Sequence, residues 1–222
     1  MHSQAAMIVF TNAFFLTYAA LFPIVNPFGS APLFLSLTQL SSGPERHALA
    51  QRVAINSFFL LLGSLFVGSH VLEFFGVSLP ILRIAGGLVV TSFGWKQLNA
   101  EEAPPETGAT KTAPASARDA FYPLTMPLTV GPGSISVAVA LGSQRPKASS
   151  LLHLVLIATA AVVGIVAIAG TVYLCYRFAE RIVAVLGPSG ANVVMRLSAF
   201  ILICIGLQIV WGGWSDLVPP AR

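Results

Sequence analysis

The sequence predicts an all-α integral membrane protein of about six transmembrane helices, arranged as two inverted three-helix repeats whose first helices are broken or re-entrant. Three observations carry that reading. Only 9% of the 222 residues are charged and 55% are hydrophobic, with a mean hydropathy of +0.81, whereas soluble domains carry about 25% charged residues. Apolar stretches of about 20 residues, the length that crosses a bilayer core as a helix, recur along the chain and leave no room for a soluble domain. Prolines recur at one spacing in both halves. The segments do not alternate apolar and polar residues, as the strands of a membrane barrel would.

The first apolar segment, residues 7–40, holds about 34 residues, and at 1.5 Å each it exceeds a core of about 30 Å. Either the helix breaks sharply near Pro23, or the piece after it is a re-entrant hairpin. Residues 1–6 lack the basic n-region of a signal peptide and the apolar run behind them is too long for one, so the N-terminus is expected to be retained. The other segments fall at 48–72, 78–98, 121–141, 149–176 and 191–211. The polar stretch 99–119, with Glu101, Glu102 and Glu106, reads as a flexible cytoplasmic linker. A single membrane domain, 1–222, thus divides into a repeat at about 5–98 and another at about 120–214.

Arg46, Arg52, Lys96, Lys111, Arg118, Arg177 and Arg181 fall in alternate loops, against Arg145, Lys147 and Arg222 on the other side. The positive-inside rule makes the first, third and fifth loops cytoplasmic and both termini periplasmic. Trp95, Tyr173, Tyr176, Trp211 and Trp214 lie near span ends, where aromatic belts form. The net charge of +4 therefore reports topology, and nothing points to nucleic acid. Cys175 and Cys204 sit in apolar runs without CxxC spacing, and the four histidines are scattered, so packing roles are expected and no metal site.

Pro23, Pro27 and Pro32 punctuate the first half, and Pro123, Pro127 and Pro132 repeat their spacing in the second. Each half continues with a long apolar helix and a last helix carrying an early arginine, Arg83 or Arg196. A unit of three spans crosses an odd number of times, so its second copy begins from the opposite side. The apolar run 5–20 has no counterpart ahead of Phe121.

An interior proline removes a backbone donor and frees a carbonyl one turn earlier, at about 3 kcal/mol or more, and lipid tolerates this only where protein or a wet cavity receives the freed groups. Asn26, biased away from helix by Pro27, and Gly29 add to the break. Half-helices restarting near Ser30 to Pro32 and near Thr129 to Pro132 would be capped by Ser30 and Thr129, with proline in the first turn. Their N–H groups and positive dipole ends would face a midplane site suited to a carboxylate, with freed carbonyls nearby for a cation. The plainer alternative is that the prolines only kink packed helices and the glycines allow close contact.

Arg83 and Arg196 oppose their helix dipoles. They either snorkel to the two faces or hold freed carbonyls and gate entry of an anion. With Glu73, Asp119, Glu180 and Asp216 all near span ends, a buried carboxylate proton relay is not expected. No cofactor is indicated, and a coupling ion would be Na⁺ held by carbonyls, hydroxyls and amides, with Asn26, Asn56, Thr125 and Gln208 as candidates that serve equally as helix-to-helix hydrogen bonds.

The runs Asn26-Pro-Phe-Gly29 with Pro32-Leu-Phe-Leu, and Pro127-Leu-Thr-Val-Gly-Pro-Gly-Ser134, resemble the two signature segments of the MarC family of bacterial inner-membrane proteins. The resemblance covers nearly the whole chain. It implies a multi-pass inner-membrane protein related to small neutral amino acid transporters, with glycine or alanine as candidate substrates and Asn26, Pro27, Gly29, Gly131, Pro132, Gly133 and Ser134 as the positions that carry over.

The leading expectation is a secondary transporter of a small zwitterion at the broken helices. A channel, or a non-transporting scaffold or regulator, is the alternative. With no HExxH, no GxSxG and no paired carboxylates in a span, an enzyme is not expected. The oligomeric state is left open.

Overall fold

A computed structural model describes residues 2–99, 120–143 and 151–218 of the chain, so the linker at 100–119 lies outside the described residues. Every regular element among them is a helix: α1 (His2–Val25), α2 (Pro27–Leu37), α3 (Gly43–Phe74), α4 (Leu79–Leu98), α5 (Pro132–Ser143), α6 (Leu151–Arg177) and α7 (Ala179–Leu217), with a wide-turned entry segment (Ala120–Thr129) before α5. The protein is an all-α integral membrane protein. Stretches within α1, α3, α6 and α7 are long and apolar enough to cross a bilayer alone. The entry segment and α5, bent by 70°, together make a fifth crossing or a re-entrant loop. At 20 residues α4 has the length, but Arg83, Lys96 and Gln97 lower its hydropathy. Phe15, Phe59, Phe66, Val166 and Phe200 are exposed, a surface that lipid solvates.

The first segment does break, but not at Pro23, which stays inside α1 because the next N–H in register still bonds: Asn26 donates to the Phe22 carbonyl at 2.9 Å. The turn falls at Asn26 itself, at φ 48° and ψ 57°. This is the left-handed region that asparagine tolerates better than most side chains. The second break is built differently. Tyr122 and Met126, each joined to the following proline by a cis peptide bond, are extended.

Glycines draw the core together. A Cβ placed on Gly87 would sit 2.6 Å from the Gly206 carbonyl, one on Gly94 2.9 Å from that of Ala199, and one on Gly213 2.7 Å from that of Pro80. The start of α4 therefore lies beside the end of α7, and the two run antiparallel with backbones in contact. Around this seam α3 packs on α5 and the entry segment, while α6 packs on α2 and α1; likewise α4 meets α5, and α7 meets α2. Leu21, Val25, Phe34, Leu61, Leu124, Ile165, Ile168 and Tyr176 fill the interior.

Candidate functional site

At the first break Asn26 is its own cap. Its side-chain oxygen accepts from the Gly29 N–H at 3.2 Å, and Pro27 occupies the first turn. Gly29 is required here, since a Cβ would overlap the Asn26 carboxamide. Ser30, expected as the cap, is a turn further in, its N–H on the Asn26 carbonyl at 3.0 Å. The positive end of α2 is thus largely satisfied from within, and Pro27, Gly29 and Ser30 are buried.

The second break leaves its helix end open. The Gly131 carbonyl accepts the Ile135 N–H at 3.1 Å, which makes Gly131 the N-cap, and glycine has no side chain to fold over the end. Pro132 has no N–H to satisfy, so the donors without an intrahelical acceptor are those of Gly133 and Ser134. Thr129 does not cap α5: its hydroxyl donates back to the Leu124 carbonyl at 2.7 Å, as Thr125 does to Ala120 at 2.6 Å and Ser134 to Gly131 at 2.9 Å. The threonines thereby absorb carbonyls that the irregular entry segment would otherwise expose.

A cavity of about 230 Å³ opens at this end, lined by Ile24 of α1, Val89, Val90 and Phe93 of α4, Leu202 of α7, and Pro127, Leu128, Thr129, Gly131, Pro132, Gly133 and Ser134. Five predicted site residues of the second half meet here. Asn26, Pro27, Gly29 and Ser30 do not line it, and the first half contributes Ile24 and α4 instead. Gly133 brings α5 against α4, since a Cβ there would overlap Val90.

Tyr176 is the residue that sequence reasoning misplaced. Expected in an interfacial belt, it is 0% exposed, stacked on Phe34 with centroids 4.3 Å apart and planes at 15°. Its hydroxyl lies 2.8 Å from the Thr129 hydroxyl. Because the Thr129 proton is on Leu124, Tyr176 is the donor. The ring thus rests on α2 while its hydroxyl is held by the entry segment. A long apolar helix ending in Cys-Tyr-Arg gives no periodic signal that would separate this tyrosine from Tyr173.

The arginines also differ from expectation. Arg83 pairs with Asp216 at 2.5 Å, clamping the end of the α4–α7 seam, and Arg196 is exposed. Neither is seen on a carbonyl at the breaks. Arg46, counted from sequence only as a loop charge, holds carbonyls at the α2–α3 corner instead: it donates to those of Thr38 and Ser41, at 3.1 and 3.2 Å, where α2 ends, and pairs with Glu180 at the start of α7. Of the amides and hydroxyls considered for an ion, Asn56 reaches Thr125 at 3.4 Å, while Gln208 faces outward on α7 in a shallow groove with Trp211.

The family model for MarC family integral membrane proteins matches residues 11–218. The chain belongs to the MarC family. The match takes in both breaks, the cavity and the α4–α7 seam. Among MarC-family relatives, the inner membrane protein MarC of Escherichia coli O157:H7 is 30% identical over 210 residues, and that of Salmonella typhimurium 28% over 209. The membrane protein YvbG of Bacillus subtilis is 29% identical over 205. Each alignment covers 91% of this chain and 94% of the relative. No solved structure matches it.

Proposed function

We propose that this MarC-family protein is a secondary transporter of a small neutral amino acid in the bacterial inner membrane. The observation that carries the reading is the uncapped N-terminus of α5 opening into an apolar cavity. The N–H groups of Gly133 and Ser134, at the positive end of the α5 dipole, receive the substrate carboxylate. Pro132 brings no N–H to the carbonyls of the segment before it, and a carbonyl released at this break, where Leu128 lines the cavity, takes the ammonium group. Val89, Val90, Phe93 and Leu202 surround the side chain. A cavity of about 230 Å³ lies below the roughly 300–1,000 Å³ of sites for drug-sized ligands, which favours glycine or alanine.

The pairing of elements supports two inverted repeats. If α2, α3 and α4 correspond to α5, α6 and α7, then each cross-contact has its counterpart: α3 on α5 with α6 on α2, and α4 on α5 with α7 on α2. The antiparallel α4–α7 seam then lies on the pseudo-two-fold axis. Alternating access would rock the halves about it.

Proteoliposomes charged with Na⁺, H⁺ or voltage gradients should take up labelled alanine with saturation, in competition with glycine. Non-saturating flux would identify a channel. Absence of both uptake and exchange under all three gradients would assign the chain to a scaffold or regulator.

A further inference from the structure

The hydroxyl of Tyr176 stands where the two halves meet. Thr129, the last residue of the entry segment, lies on one side at 2.8 Å, just before the 70° bend into α5. On the other side lies Ser30 in the first turn of α2, itself buried. The ring is locked against Phe34 of α2. Of these groups only Thr129 reaches the cavity wall. A buried phenol within an apolar bundle is favourable only if its hydroxyl is partnered, and here that partner, Thr129, belongs to one broken element while the ring rests on the other.

We propose that Tyr176 is a positioning residue that ties the two helix breaks together, its ring stacked on Phe34 of α2 and its hydroxyl holding Thr129 so that the open end of α5 faces the cavity, and making movement of one break drag the other. The donor sequence has one direction. Thr129 gives its proton to Leu124 and accepts from Tyr176. Displacing α5 by a ligand therefore loads the contact to α2. This inference rests on the transporter reading for its substrate but not for its geometry.

Tyr176→Phe keeps the ring stack and deletes only the hydroxyl. Alanine uptake by this variant should show KM raised about tenfold, the scale of removing one buried hydrogen bond, with maximal rate changed less than twofold. A purely structural residue would instead lower the amount of folded protein and leave KM alone. Spin labels on the exposed positions Phe28 and Phe121 supply a readout that needs no transport. The distance distribution between them should be narrow in the parent protein and broadened in Tyr176→Phe. Thr129→Ser, which retains the acceptor, should keep the parent distance distribution. Unchanged KM and unchanged distances in Tyr176→Phe would overturn the proposal. If the parent takes up no alanine yet the distances broaden, the coupling stands and the substrate assignment fails.

Discussion

Asn26 and Gly131 occupy the same place, the residue before the proline that opens a half-helix, and they do opposite things there. Asn26 folds its carboxamide onto the Gly29 N–H, whereas Gly131 leaves the equivalent donors to the cavity. A side chain fits at Gly131, since a Cβ would meet only the Pro127 carbonyl at 3.4 Å. Gly131→Ser should therefore cap α5, changing stability by only a few tenths of a kcal/mol. Alanine affinity should fall about tenfold or more, because a ligand carboxylate would have to displace an internal hydroxyl. Thermal unfolding alongside ligand titration separates the two effects. A loss of stability equal to the loss of affinity would mean that Gly131 is needed for packing alone.

Among the elements, the corner between α2 and α3 hangs on one side chain. Arg46 is buried, holds two carbonyls and pairs with Glu180, whose own side chain is 68% exposed. Its removal takes the donor from the Ser41 carbonyl, while the Thr38 carbonyl keeps the Ser41 N–H, so Arg46→Ala should cost about 2 kcal/mol. Glu180→Ala, which removes a largely solvated partner, should cost about 1 kcal/mol or less. Thermal unfolding in detergent measures both, and equal losses would make the ion pair rather than the carbonyl clamp the dominant contact. Glu180 lies on the short run of α7 ahead of Gly187, where φ is 68°, so this contact also fixes how that run sits beside α2.

For the whole molecule, the distribution of lysine and arginine predicts the first loop inside and the α3–α4 corner outside. In a background with Cys175 and Cys204 replaced by alanine, Phe75→Cys should react with an impermeant maleimide in intact cells. Leu40→Cys should react only after the membrane is opened; both positions are exposed. Labelling of both from one side would contradict an odd number of crossings between them. How much of this was legible varies with the range of the interaction. The apolar lengths and the duplicated prolines are local features, and helices follow from them directly. Asn26-Pro27 announced a break, but its left-handed turn and self-capping were not distinguishable from the capping expected of Ser30. Thr129 lines the cavity without performing the capping role expected of it, since its hydroxyl prefers a carbonyl of its own segment.

Hydropathy and proline spacing alone determined that this chain is a helical membrane protein with two interrupted helices, because in lipid the backbone must satisfy itself and only a break can expose it. The tertiary structure decided which break is open and what meets there. Cavities, the burial of Tyr176, the carbonyl grip of Arg46 and the glycine seam of α4 and α7 all depend on residues distant in sequence approaching within a few ångströms, and no local pattern encodes those approaches.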